Sequence, residues 1–341
     1  MILILDNETY KNKEKEIYEL FKKNGNLVDV IYTAYEDALI RKVCKWKYIG
    51  EILLHLLYWF KSFRYALTIM RNNKPTTIIC VNPIVGSFLG LLNREKKFKI
   101  ILCGFIFEPK SNKLYYNTRK LFVNFIIKGI YKIVVYSKHE IKYYKKIFKN
   151  GDFEFVQYGI DYESKETYIN PLLKQPFIVS GGRSNRDYKT LLDAYQLVYK
   201  KMDIALFIAT RPVVVQGLNT SGVTILKDVV IETFGSMLEQ SLMVIVPLAD
   251  RDVSAGHLVI LEALQRNRIV IVNKIDSILD YVSEDQVVFF ESENVEDLCN
   301  KIIYVLENYK EIKAQYCFNT NYYKNNFTFI CYIERLIKIA Q

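Results

Sequence analysis

The residues best suited to chemistry fall into two clusters in the second half of the chain. One spans residues 250–281, DRDVSAGHLVILEALQRNRIVIVNKIDSILDY. It opens with a polar, glycine-containing loop, Ser254-Ala255-Gly256-His257, followed by a helix-like run over 258–265 that carries Glu262. A β-branched run at 269–272 and a second loop complete one α/β unit. A loop entering a helix presents free backbone N–H groups and the positive end of the helix dipole, a combination that can hold an anion. Glu262 comes eight residues after Ser254, which puts both on about the same helical face. A carboxylate there can accept hydrogen bonds from vicinal hydroxyls, as on a ribose, while the loop amides face phosphate or sugar. His257 reads equally as a ligand contact or as a solvent-facing loop residue.

The second cluster is SGGRSNRDYKTLLDAY, residues 180–195. Glycines after a strand, here Gly181 and Gly182, let backbone approach a ligand closely. Arg183 and Lys189 straddle a loop-to-helix junction and can converge on one anion, the first as a bidentate fork and the second as a point charge. A diphosphate at the carboxyl ends of parallel strands is the natural occupant. An ordinary turn is the alternative. The glycines do not form G-x-G-x-x-G and no Walker A lysine is present, which argues against dinucleotide and P-loop sites.

The elements that must position these clusters follow from the rest of the chain. Its 341 residues, half of them hydrophobic and a quarter charged, suggest two globular domains. Apolar, β-branched runs at 2–5, 28–32, 76–81, 99–103, 133–136 and 153–157 alternate with helix-like stretches. Ser137 and Glu140 have capping-box spacing for a helix over 139–148. A polar stretch at 164–175 is the expected linker. The alternation then repeats, with strands expected at 177–180, 204–209, 223–225, 242–247, 269–272 and 287–290 and helices between and after them. Strands apolar on both faces and separated by helices predict two doubly wound parallel sheets. The stretch 49–70 is the most apolar helix. Charges at Glu51, Lys61 and Arg64 argue against a membrane span, leaving an amphipathic helix packed on a sheet or lying in a membrane interface.

Charge is lopsided. Residues 1–165 hold 29 basic against 16 acidic residues, a net +13, and the remainder carries −3, giving +10 overall. The basic half is either solvated surface or a face toward an anionic membrane, where each basic residue contributes about 1 kcal/mol. No nucleic-acid module is legible, so no nucleic-acid partner is expected. Six scattered cysteines without a C-x-x-C pair predict a reducing compartment and no zinc site, and three histidines argue against a histidine-built metal centre. The first residues are strand-like without a secretory pattern, consistent with a cytoplasmic protein.

Taken together, these clusters resemble a GT-B glycosyltransferase of the retaining, nucleotide-sugar-dependent family 4 type. The resemblance covers nearly the whole chain. It is carried by Tyr158-Gly159-Ile160-Asp161, by Arg183 with Lys189, and by Leu261-Glu262-Ala263 with Ile269-Val270-Ile271. It implies two Rossmann-like domains facing a cleft: an acceptor-binding, membrane-facing domain at 1–165 with a terminal helix at 327–341 crossing back, and a donor domain at 166–326. It implies that Arg183 and Lys189 hold the donor diphosphate and stabilise it as leaving group, and that Glu262 binds the ribose. The backbone of Ser254, Ala255, Gly256, His257, Leu258 and Val259 would cradle phosphate and sugar, with Thr210-Arg211 and the loop 227–231 near the base. No metal or other cofactor is implied. Two positions depart from the pattern. Ser254 stands where a carboxylate is expected, and the loop Cys103-Gly104-Phe105-Ile106-Phe107-Glu108 lacks a histidine. Glu108 is there either an acceptor contact or a surface carboxylate. The implied activity is hexosyl transfer from a UDP-sugar to a lipid-linked or surface-polysaccharide acceptor, as in capsule or lipopolysaccharide synthesis, at the inner face of the plasma membrane. A catalytically silent membrane adaptor and a nucleotide-sugar epimerase are the alternatives.

Overall fold

The computed structural model describes residues 1–6, 8–33, 50–109, 112–161, 176–227, 229, 231–249, 252–316 and 320–341. The expected linker at 164–175 and the basic stretch at 36–47 lie outside them. The chain divides into one compact unit of Met1–Val156 with Ile333–Gln341 and a second of Gln157–Tyr332.

The first unit is built on β1 (Ile2–Leu5), β2 (Asp29–Tyr32), β3 (Thr77–Cys80), β4 (Lys99–Leu102), β5 (Lys132–Val135) and β6 (Phe153–Phe155). They pair in parallel in the order β2-β1-β3-β4-β5-β6. Parallel strands need crossover helices, and these are α1 (Glu14–Lys23), α2 (Gly50–Asn72), α3 (Pro83–Leu92), α4 (Lys113–Ile127) and α5 (Lys138–Ile147). Local chemistry sets their starts. The Asn82 side chain accepts from the Ile84 and Val85 amides with Pro83 opening α3, and Ser137 with Glu140 forms the expected capping box of α5. Glycines let α3 approach the end of α4. A Cβ on Gly129 would sit 2.0 Å from the Gly90 carbonyl oxygen, so no side chain fits. α2 buries Ser62, Ala66 and Ile69, while Ile52, Leu56, Trp59 and Phe60 stay exposed. The sequence expected an amphipathic helix here, and the exposed face of the helix is also apolar. Among the described residues no helix is long and apolar enough to cross a membrane.

The second unit holds β7 (Phe177–Gly181), β8 (Ala205–Ala209), β9 (Val223–Leu226), β10 (Met243–Val246), β11 (Ile269–Asn273) and β12 (Val288–Phe290), again all parallel, in the order β12-β11-β10-β7-β8-β9. Both sheets are the doubly wound type that the β-branched runs predict. The helices are α6 (Tyr188–Tyr199), α7 (Ile231–Gln240), α8 (His257–Gln265), α9 (Val295–Glu307), α10 (Tyr309–Tyr316), α11 (Thr320–Asn326) and α12 (Phe329–Ala340), whose last residues belong to the first unit. The central strands β7, β10 and β11 are buried along their whole length.

Tyr158-Gly159-Ile160-Asp161 has a structural role in this unit. The Ile160 amide donates to the Phe327 carbonyl at 2.7 Å, and the Gln265 side chain donates to the Ile160 and Phe327 carbonyls at 2.9 and 3.2 Å. Gly159 packs so closely on this strap that a Cβ would lie 2.1 Å from the Thr328 carbonyl oxygen. Glycine is required there by contact between backbones.

Candidate functional site

The two chemistry-bearing clusters meet at the carboxyl ends of β7 and β10. These strands are neighbours, so the loops that follow them lie side by side. Hydrogen bonds join the loops: Asp187 N to Pro247 O at 3.0 Å, Ala249 N to Asn185 O at 3.2 Å, and the Asn185 side chain to Val253 O at 3.3 Å. Arg186 and Leu248 form an isolated antiparallel bridge. Asn185 takes a left-handed conformation, φ 55°, which asparagine tolerates better than most residues. Sequence spacing alone does not pair these segments. Asn273, at the end of β11, completes the clamp. Its side chain accepts from the Leu248 amide and donates to the Leu248 carbonyl, both at 2.8 Å.

Gly181 ends β7. Gly182, φ 122°, offers its carbonyl to the Tyr188 hydroxyl at 2.8 Å and to the Thr210 hydroxyl at 2.9 Å. A Cβ on Gly182 would meet the Arg186 guanidinium at 2.4 Å. Arg183 is exposed on this loop. Lys189 is exposed on the first turn of α6, with its ammonium 2.7 Å from the Asp193 carboxylate, an i,i+4 pair. This hydrogen bond raises the Lys189 pKa. Arg183 and Lys189 thus flank Arg186 in the sequence, both exposed.

Arg186 is the residue that sequence reasoning missed. Its Nε donates to the Gly181 carbonyl at 3.0 Å and its Nη1 to the Ser184 carbonyl at 2.9 Å. Burial pulls its pKa down, and no carboxylate pairs with it among the described residues. Buried cations are normally neutralised. One held only by carbonyl oxygens at a strand end has guanidinium protons and charge left for an anion.

Across from it, α8 begins at Gly256, whose φ of 83° is left-handed and which provides no side-chain cap. A Cβ there would press on Leu248 Cδ2 at 2.7 Å and Val246 Cγ1 at 3.2 Å. The amides of His257, Leu258 and Val259 are therefore the uncapped first turn of a helix, the part that favours an anion. Ser254 and Ala255 are half-buried before it, and Leu258 is exposed. The His257 ring turns inward. It lies 3.0 Å from the Ser277 carbonyl and packs on the Tyr281 ring at 4.3 Å. Any part His257 plays in holding an anion therefore falls to its backbone.

Burial pushes the His257 pKa down from 6.5 to about 4, with Arg186 adding to the fall and the Ser277 and Asp280 contacts opposing it. The folded state binds this proton less readily than the unfolded chain, so stability is lost as pH falls from about 6.5 toward 4. The loss should approach about 3 kcal/mol, since each pKa unit is worth about 1.4 kcal/mol. Urea midpoints of the native protein and a His257→Asn variant, compared between pH 7 and pH 4, check this. The native protein should lose its advantage toward pH 4, and a pH-independent difference contradicts the assignment.

Glu262 lies on the inner part of α8. Its Oε1 is 2.8 Å from Arg266 Nη2, and Arg266 Nη1 is 3.4 Å from Glu239 Oε2. Gly235 of α7 gives this network its space, because a Cβ there would lie 2.5 Å from Arg266 Nη2. Arg266 fixes one oxygen and leaves Glu262 Oε2 with no partner among the described residues, able to accept from a hydroxyl. Arg211 is exposed after β8. Of the neighbouring loop 227–231, residues 228 and 230 lie outside the described residues, as do 250–251 at the start of the first cluster. Glu108 belongs to the first unit, where its carbonyl accepts from Arg119 Nη1 at 3.2 Å.

Residues 175–308 match the family model described as glycosyl transferases group 1. No curated protein matches the chain in sequence. In structure it is similar to a glycosyltransferase from Rickettsia africae, at 16% identity and TM-score 0.61, covering 99% of this chain and 97% of that one. It is similar to the sucrose-phosphate synthase of Thermosynechococcus elongatus, at 13% identity and TM-score 0.66, with 99% and 97% covered. HepE of Anabaena, solved in complex with UDP and glucose, matches at 12% identity and TM-score 0.65 over 99% and 98% of the two chains. The second unit carries a glycosyl transferases group 1 domain, which supports a glycosyltransferase, and the chain has the GT-B fold of two Rossmann-like units.

Proposed function

We propose that the chain moves a sugar from a UDP-sugar to a lipid-linked or surface-polysaccharide acceptor, with retention at the anomeric carbon and without a metal. The observation that carries this reading is Arg186, a cation without a carboxylate partner among the described residues, set between the joined β7 and β10 loops beside the uncapped start of α8. UDP leaves with the electron pair of the bond to the anomeric carbon. Arg183, Arg186, Lys189 and the dipole of α8 neutralise the departing diphosphate. Lys189 must first leave Asp193, and a solvent-exposed pair of this kind is weak and easily given up. Glu262 Oε2 takes a ribose hydroxyl, Arg211 lies toward the base, and the backbone of 254–259 faces the phosphates and sugar. HepE, solved with UDP-glucose, supports a UDP-linked donor. The basic first unit would take the acceptor at the inner face of the plasma membrane, with Glu108 on the acceptor side.

The activity is tested by UDP release from a series of UDP-sugars, with membrane extract as acceptor source. UDP should accumulate equally with and without EDTA, and NMR should find the donor's anomeric configuration in the product. A second reading, a silent adaptor, is favoured only by Ser254 at a position expected to hold a carboxylate. Bound UDP without release from any UDP-sugar would establish that reading, and loss of activity in EDTA would overturn metal independence.

A further inference from the structure

The first unit contains an apolar cavity of about 620 Å³ at the carboxyl end of β4. Trp59 of α2, Ile84 and Phe88 of α3, Phe105 after β4, and Phe122 and Val123 of α4 form most of its wall. The volume falls in the range of pockets that enclose a small ligand, about 300–1,000 Å³. Its polar lining is sparse: Ser87, Tyr115, Thr118 and Arg119. Arg119 is a fixed cation, with Nη1 and Nη2 donating to the Glu108 and Ile106 carbonyls at 3.2 and 3.0 Å and the guanidinium 4.4 Å from the Phe107 ring centre.

The surface around the cavity is unusual for a soluble face. On α2, Ile52, Leu56, Trp59 and Phe60 are 49–62% exposed at spacings of four, seven and eight, which is one helical stripe. On α4, Leu114, Leu121 and Phe125 are exposed at spacings of seven and eleven, again one stripe. The stripes meet where Trp59 stacks on Phe122, with ring centres 6.3 Å apart. Basic side chains edge the apolar surface. Arg64 lies 6.0 Å from the Phe60 ring centre, and Arg94 and Lys128 lie 5.5 and 5.4 Å from that of Phe125. An apolar face with snorkelling cations is the pattern of a surface that meets an anionic lipid layer.

We infer that the cavity lodges the hydrocarbon chain of a lipid-borne acceptor, with its anionic head toward Arg119 and the basic rim. This rests on the transferase reading above and narrows its acceptor to a lipid. A hydrocarbon chain suits this lining, where Ser87, Thr118 and Arg119 already donate to backbone carbonyls, and the head group supplies the charge that Arg119, Arg64, Arg94 and Lys128 complement. A polysaccharide without a lipid has nothing to place in the cavity.

The chain has two tryptophans, and Trp46→Phe leaves Trp59 as the sole reporter. In that background, 12-bromododecyl phosphate should quench Trp59 fluorescence saturably. Excess dodecyl phosphate should restore it and inorganic phosphate should not. Ser87→Phe and Thr118→Phe, which fill the cavity, should each weaken the quenching at least tenfold, whereas Leu121→Asp on the outer stripe should leave it. UDP binding in the same samples reads the donor site separately. UDP binding with no quenching overturns the lipid chain and leaves the transferase reading standing; quenching without UDP binding does the converse. Quenching that never saturates, or that both filling variants leave intact, means adsorption to the surface only and overturns the inference. So does quenching that inorganic phosphate reverses, or apolar protection of Trp59 that appears only as the protein dimerises. If a filling variant fails to fold, the competition between the two alkyl phosphates in the parent decides.

Discussion

Arg186→Ala is expected to weaken UDP binding about 10- to 100-fold. A hydrogen bond to a charged group is worth about 1.5–3 kcal/mol, and about 1.4 kcal/mol is a factor of ten in affinity. Arg186 has two of its N–H groups on the Gly181 and Ser184 carbonyls and, among the described residues, none on a carboxylate, so its charge is available to the proposed donor diphosphate. The substitution also removes the group that packs against Gly182. Arg186→Lys separates the two effects, because it keeps a charge and loses the fork. Calorimetric titration with UDP should rank native above Arg186→Lys above Arg186→Ala. Arg183→Ala should cost about tenfold, and Lys189→Ala less, because Asp193 competes for its ammonium. Native affinity in Arg186→Ala would remove Arg186 from the donor site.

Gly256→Ala should be the most damaging substitution at the start of α8. A left-handed φ of 83° costs a side chain about 1–2 kcal/mol. The new Cβ would also lie 2.7 Å from Leu248 Cδ2. Leu248 cannot retreat freely, because Asn273 holds its backbone by two hydrogen bonds. Overpacking adds about 1–3 kcal/mol, so a total loss of about 2–5 kcal/mol is expected from urea unfolding. Gly217→Ala is the control. Its φ of 81° is nearly the same, but a Cβ there meets nothing within 4 Å. Gly217→Ala should therefore lose only the backbone part, and equal losses in the two variants would dismiss the packing argument.

Much of the frame was legible because its signals are local. The β-branched runs at 177–181, 243–246 and 269–273 are strands buried on both faces, and such runs predict parallel strands whatever the tertiary detail. The Ser137–Glu140 capping box is read from four adjacent residues and formed as expected. The loop-into-helix start of α8 was also readable from Gly256 and the periodic run after it. The setting of Arg186 was not, because it depends on the bridge from Arg186 to Leu248 between loops some sixty residues apart. The clamp by Asn273 escaped for the same reason. The Lys189–Asp193 pair is local and available in the i,i+4 spacing. On α2, polar interruptions suggested a buried face and a solvated face, yet the outward stripe of Ile52, Leu56, Trp59 and Phe60 is apolar too. Only the three-dimensional arrangement shows that this stripe adjoins a cavity.

The measurement that bears most directly on the central claim is a thermal-shift panel of UDP, GDP, ADP, CMP and dTDP, with NAD as control. A ligand at about a hundred times its dissociation constant stabilises the folded state by about 2.7 kcal/mol. The proposed donor site predicts a shift with UDP that the other nucleotides do not match and that shrinks in Arg183→Ala, Arg186→Ala and Glu262→Ala. No shift with any nucleotide, or an undiminished UDP shift in all three variants, would contradict it.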